Sequence, residues 1–225
     1  MAQPETTRGR SEAAVVALAP VVLLAAFALH PWIGAGPPDQ SALAEAVVDN
    51  PTRWGIAHLA TGMSSGLLAL AFLAIRARLR AAGPEPWSAR GVPLVVMGSA
   101  LYTLLPGLEF APLAAAEAGV DVEPVAEALV VWFVPIHVIG ALLFGAGVLA
   151  FRKGIASSGI LSGRTSQLVV GALAVMVVAR LVPLVVVQFY VQGVAGVVAL
   201  CPLAFAMWNA PVQSLVTEQR PAPAT

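Results

Sequence analysis

Long apolar runs separated by short polar segments dominate the pattern along this chain. A helix needs about 20 apolar residues to cross about 30 Å of hydrocarbon, so each such run predicts one membrane-spanning helix. The first four runs are Ala13–Leu29, Trp54–Ile75, Val92 to about Phe110, and Leu129–Phe151.

The last apolar run, Gln167–Asn209, is too long for one span. As a single helix it would measure about 65 Å, roughly twice the thickness of the membrane. We therefore predict a split near Gln188–Gly193 into two helices joined by a tight turn, with Pro202 inside the second. The total is six membrane-spanning helices.

Composition supports the same class, because 59% of the residues are apolar and only 11% are charged. The prediction is an all-α, multi-pass membrane helix bundle over residues 13–209, with disordered tails at 1–12 and 210–225. The lipid bilayer is the predicted partner, and a formal net charge of zero gives no indication of a nucleic-acid partner. Cys201 is the only cysteine, so no intramolecular disulfide forms.

Arginines and lysines fix the predicted orientation, because cytoplasmic loops of membrane proteins carry an excess of them. With the N-terminus and the C-terminus both in the cytoplasm, only Arg53 falls outside and Arg180 lies within a span. This orientation predicts a multi-pass protein of the cell membrane. An alternative for the first run is a cleaved signal peptide, but its length favours a retained helix. The cytoplasmic residues are Arg8, Arg10, Arg76, Arg78, Arg80, Arg90, Arg152, Lys153, Arg164 and Arg220.

Two outer connections are longer than simple turns. Pro37–Pro51 contains an alanine-rich apolar stretch, and Ala111–Glu127 is rich in alanine with spaced acids. Both are candidates for short helices at the outer interface, and solvated loops with some helix propensity are the alternative.

Three prolines mark a weak internal repeat. Pro31, Pro106 and Pro183 lie at the predicted outer ends of the first, third and fifth helices. This spacing predicts a two-helix hairpin repeated in parallel orientation, as in many transporters. The alternative is the regular spacing that any six-helix protein shows.

A few ionisable or polar side chains lie within the predicted spans, all toward the outer half. Such residues face the interior of a bundle and need partners. Small residues at four-residue spacing predict that His58 (with Gly62 and Gly66) and His137 (with Ala141 and Gly145) lie at helix contacts. The candidates are His30, His58, Glu109, His137, Arg180 and Gln188.

These positions predict an outward-facing polar pocket that binds a small, anionic ligand, as in a transporter, a sensor or a lipid-handling protein. Arg180 is the predicted charge anchor and Glu109 its counter-ion. His58 and His137 are predicted to form hydrogen bonds or exchange protons, with Gln188 beside them.

Three alternatives stay open. The polar residues can act as helix-packing contacts of a structural or assembly subunit. His58 and His137 can ligate haem b, with Arg180 at a propionate. His30, His58 and His137 with Glu109 can hold zinc in a membrane hydrolase, although no local ligand motif accompanies them. The sequence contains no family motif, and it does not define the ligand, the oligomeric state or partner proteins.

Overall fold

The computed structural model describes residues 4–209, with side chains from residue 9 onward. These residues form helices, turns and loops, with no strand among them. The predicted tail at 210–225 lies outside the described residues. The helices are α1 (Pro4–Leu29), α2 (Gln40–Asp49), α3 (Pro51–Ala82), α4 (Trp87–Leu108), α5 (Phe110–Glu117), α6 (Val122–Ser158), α7 (Gly163–Leu181), a π-helical turn (Val187–Val191) and α8 (Gln192–Trp208).

Within residues 4–209, six helical segments are long and apolar enough to cross a membrane, which confirms the predicted number of spans. They are Gly9–Leu29, Pro51–Ala82, Trp87–Glu117, Val122–Ser158, Gly163–Leu181 and Val187–Trp208. α1 begins at Pro4, so the helix extends into the segment predicted as a disordered N-terminal tail.

The six long helices form a closed ring in which each packs on the next in the chain. The order is α1, α3, α4, α6, α7 and α8, and α8 closes the ring against α1. One buried apolar cluster fills the centre, and α1 contributes Val16, Ala19 and Leu23 to it. Large apolar side chains remain exposed on every one of these helices, as expected for surfaces that face lipid.

Glycines bring α4 and α6 into close contact. A Cβ placed on Gly98 would lie 2.5 Å from the backbone nitrogen of Phe144, and one on Gly147 would lie 2.7 Å from the backbone nitrogen of Val95. Small residues at such positions let two backbones approach closely, which is the main way that helices associate within membranes.

The prediction that His58, Gly62 and Gly66 lie together at a helix contact on the second span is correct only in part. Gly62 faces Pro106 of α4, but a Cβ added at Gly66 would meet nothing within 4 Å. Four residues of an α-helix turn roughly 40° more than one full turn. Gly66 lies two such steps after His58, so it is rotated out of the contact. The buried face of α3 continues instead through Ser65, Leu68 and Phe72.

The break in the long C-terminal apolar run lies earlier than predicted. α7 ends at Leu181, an irregular segment holds Pro183, and the helical chain resumes before the π-helical turn. Proline lacks the backbone N–H that would continue a helix, which explains the position. Gln188 and Gln192 therefore belong to the sixth span and not to a turn.

Both long connections contain helices, and together they pack into a cap over one end of the bundle. We define the cap as residues 31–50 and 110–121. Asp39 caps the N-terminus of α2, accepting a hydrogen bond from Ser41 N at 3.1 Å. A second apolar cluster, including Leu43, Val47 and Trp54, joins the cap to the ends of the long helices.

Arg53, the exception to the predicted charge distribution, caps the C-terminus of α1. Its Nε donates to Leu29 O at 2.5 Å and its Nη2 to His30 O at 3.4 Å. The last carbonyls of a helix lack intrahelical partners and carry partial negative charge, so a guanidinium there is favourable.

We expect Arg53→Gln to lower the free energy of unfolding by about 1 kcal/mol, because it removes a cation from a helix C-terminus. Equilibrium unfolding in mixed micelles measures the effect. Thr52→Ala, at the exposed neighbouring position, is the control and should leave stability unchanged. Equal stabilities of the two variants would contradict the capping role.

Candidate functional site

Beneath the cap, the candidate residues separate into two clusters. One contains Tyr102, His137 and Arg180, and the other contains His30 and His58. The π-helical turn borders both, because Gln188 reaches His137 and the Phe189 ring meets the His30 ring. Such turns are frequent at functional sites.

The first cluster begins with the helix break at Pro183. Leu184 N bonds to Val182 O at 2.8 Å, so it does not bond to Arg180 O as it would in a continuing helix. His137 Nε2 lies 3.1 Å from Arg180 O and fills this gap. A carbonyl only accepts, so Nε2 carries the hydrogen, and Nδ1 then accepts from Tyr102 Oη at 3.3 Å.

Arg180 is only 2% exposed and points back along its helix into the bundle. Its Cζ lies 3.8 Å from the centre of the Tyr102 ring and 4.2 Å from that of Phe144. With the amide of Gln192 turned so that its oxygen faces Arg180, Oε1 accepts from Nη2 at 2.9 Å and from Nε at 3.2 Å. Nη1 has no hydrogen-bond partner among the described residues.

The predicted ion pair between Arg180 and Glu109 does not form. Glu109 lies at the junction of α4 and α5, where its backbone oxygen accepts from Trp54 Nε1 at 3.2 Å. Its Oε2 is buried without a hydrogen-bond partner in the described part of the chain. The backbone of Glu109 is thus bonded to α3, and its carboxylate is not paired with Arg180.

The second cluster is an aromatic enclosure at the ends of α1 and α3. The rings of His30 and His58 are 4.9 Å apart between centroids, and the Trp54 ring lies 4.4 Å from His58. Burial lowers the pKa of His30 from its ordinary value of 6.5 and is the largest influence on it. The hydrogen bond with Pro31 O raises this pKa, and the positive charge of Arg53 lowers it further. The environment of His30 therefore favours the neutral imidazole.

Two of the predicted ligand sets are not brought together. His58 and His137 belong to different clusters, and both ring nitrogens of His137 already have partners. His30, His58, His137 and Glu109 do not form a metal site either, since the described residues contain no group of three or more potential metal ligands. The sequence identified each residue correctly as buried or half-buried, but not which neighbour it meets.

A cleft of about 620 Å³ opens within the cap. None of the candidate side chains lines it, and its walls include Trp32, Asp39, Glu45, Asp49 and Arg53. His58 is 8% exposed and Arg180 is 2% exposed, so both are closed off in this conformation.

Phe144 and Phe189 are site residues that the sequence pattern did not single out. Phe144 lies seven residues after His137, which places both on one face of α6 and is a usable signal. Phe189 had no comparable signal, because its position depends on the π-helical turn.

No protein-family model matches the chain, and neither a curated protein nor a solved structure shows significant similarity to it. The fold alone defines the class, which is a helical protein with multi-pass membrane architecture. Any function is therefore inferred from the two clusters.

Proposed function

We propose that the protein binds the anionic group of a small molecule or lipid at Arg180, within the outer half of the cell membrane. Both termini lie in the cytoplasm in this proposal, and the cap faces outward. The role is that of a carrier, a sensor or a lipid-handling protein.

The observation that carries the proposal is the free Nη1 of a guanidinium that is almost completely buried. A buried charge without a counter-charge is costly, both in protein interiors and in hydrocarbon. Two aromatic faces and one amide stabilise the cation in part. A carboxylate or phosphate oxygen at Nη1 would supply the missing charge.

The neighbouring groups suit an anion with a polar end. His137 is bonded to Arg180 O and to Tyr102, so the neutral group left beside Arg180 is the Gln188 amide, whose Nε2 lies 3.4 Å from His137 Nε2. Two N–H groups do not bond to each other, so this amide is left to donate to the anion. The ligand enters by separation of the chain around Pro183, where helical hydrogen bonds are already interrupted. Broken helices of this kind form substrate sites in membrane transporters.

A structural subunit is the second candidate, favoured by the bond from His137 to Arg180 O. That bond joins α6 to the end of α7 without any ligand. The haem b alternative does not fit, because His137 has no free ring nitrogen and does not share a cluster with His58.

Thermal unfolding of the full chain in nanodiscs of phosphatidylcholine tests the proposal. Dodecanoate and dodecyl phosphate should raise the Tm, whereas dodecanol should not. A probe at 100 times its Kd stabilises by about 2.7 kcal/mol. Acetate and inorganic phosphate form a second arm, and stabilisation by these would identify a water-soluble ligand instead of a lipid.

Arg180→Gln should abolish the shift, and Arg164→Gln, at an exposed position at the other end of α7, should retain it. An equal shift with dodecanol, a shift that persists in Arg180→Gln, or no shift with any anion would refute anion binding at this site.

A further inference from the structure

The end of the bundle opposite the cap, where α4 begins and α6 ends, holds two cations over one indole ring. Arg90 Cζ lies 5.1 Å from the centre of the Trp87 ring, and Lys153 Nζ lies 4.3 Å from the same point. Glycines hold the two helices together here, because a Cβ on Gly91 would lie 2.8 Å from Gly147 O. Packing of α4 against α6 thus brings the two positive charges to one place.

The two charges repel each other. Both lie within about 5 Å of one ring centre, so Cζ and Nζ are at most roughly 9 Å apart, about one Debye length in physiological salt. Glu85, the acid nearest to them in sequence, does not bond to either cation. Its Oε1 accepts from Ser88 N at 2.7 Å, and its Oε2 is buried with no hydrogen-bond partner among the described residues.

A third cation reaches the start of α4. Ser88 is buried, and its Oγ accepts from Arg76 Nη1 of α3 at 3.4 Å. The side chain of Arg76 is half-buried, whereas those of Arg90 and Lys153 are exposed. α3, α4 and α6 therefore contribute one cation each, and with Glu85 as the one acid the group keeps a net positive charge.

We propose that Arg76, Arg90 and Lys153 bind the phosphate of an anionic phospholipid of the phosphatidylglycerol class, between the ends of α3, α4 and α6. Basic pockets between membrane helices on the cytoplasmic side bind headgroups of this kind. The span of α4 begins at Trp87, and tryptophan at the end of a span lies at the depth of the headgroups. In the proposed orientation the lipid belongs to the inner leaflet, and the site shares no side chain with the anion site at Arg180.

Apolar surface beside the cations favours a lipid over free phosphate. Leu149 precedes Lys153 by one helical turn, Leu73 precedes Arg76 by three residues, and each leucine is 42% exposed. Residues at these spacings share one face of a helix, so an acyl chain attached to the bound phosphate lies against this surface. The bound phosphate relieves the repulsion between the cations, and the net positive charge disfavours the ammonium group of phosphatidylcholine.

Native mass spectrometry of the full chain in detergent micelles tests the site, with phosphatidylglycerol and phosphatidylcholine of identical acyl chains added in equal amounts. We expect one phosphatidylglycerol per chain to be retained in preference to phosphatidylcholine. Arg90→Gln and Lys153→Gln should each weaken this binding by about fivefold. Arg164→Gln, which removes an exposed arginine at the same end of the bundle, is the matched control and should bind as the wild type does.

Photo-crosslinking of the wild-type chain gives a test that does not depend on variants folding. In nanodiscs, phosphatidylglycerol with a diazirine on its headgroup should label residues 85–92 and 150–156. Equal retention of the two lipids, an equal loss in Arg164→Gln, or labelling confined to other segments would overturn the proposal. Arg180→Gln should lose stabilisation by dodecanoate and still retain phosphatidylglycerol, so this proposal and the proposed function fail separately.

Discussion

Gly98→Ala is expected to lower the free energy of unfolding by about 3 kcal/mol, the upper end of what overpacking usually costs. The added Cβ would lie 2.5 Å from the nitrogen and 2.8 Å from the Cα of Phe144. Both are backbone atoms, so no side-chain rotation relieves the clash and α4 must move away from α6. Equilibrium unfolding in mixed micelles measures the loss.

The matched control is Gly66→Ala on α3, where a Cβ meets nothing within 4 Å. Alanine is a better helix former than glycine, so this change should leave stability unchanged or raise it by up to about 1 kcal/mol. The same substitution is thus expected to have opposite signs at the two positions. A loss of the same size in both variants would contradict the close contact between α4 and α6.

Hydropathy was sufficient to predict the architecture, because the length of each apolar run is set by the thickness of hydrocarbon. Hydropathy did not place the break in the last run correctly. The helix is interrupted at Pro183 and not at the polar Gln188–Gly193 segment. The amide of Gln192, turned so that its oxygen faces Arg180, bonds to Arg180 and to the backbone oxygen of Gln188, so this polar side chain does not require a turn.

The candidate site was predictable as a set of residues but not as a set of contacts. Burial was predictable because exposing the ionisable side chain of His58 or Arg180 to hydrocarbon has a high free-energy cost. Partners depend on helix rotation and on breaks, which a repeat of small residues does not determine. Glu109 shows the difference, because it is buried as expected and yet its carboxylate is not paired with Arg180.

The π-helical turn contacts both clusters, so its position affects both of them. Gln188 and Phe189 are consecutive, yet one contacts His137 and the other contacts His30. If the chain around Pro183 opens to admit an anion, the same movement shifts Phe189 relative to the histidine pair.

Arg180→Met is expected to raise the stability of the ligand-free protein by about 1–3 kcal/mol while abolishing stabilisation by dodecanoate. Removing a buried charge that has no counter-charge relieves a desolvation cost of several kcal/mol, which exceeds the roughly 1–3 kcal/mol cost of leaving the Gln192 oxygen without a donor. Methionine is unbranched and flexible, and its sulfur packs favourably against aromatic rings such as those of Tyr102 and Phe144, which flank Arg180. Functional sites often retain such destabilising groups because the ligand requires them.

Arg164→Met supplies the control, because it makes the same substitution at an exposed position of α7 and should have little effect. A double-mutant cycle with Glu109→Gln adds a second check. Since Glu109 and Arg180 share no contact, their coupling energy should fall within about 0.5 kcal/mol of zero. A structural role for Arg180 predicts the reverse on the first measurement: Arg180→Met would unfold more readily than the wild-type chain, with or without dodecanoate.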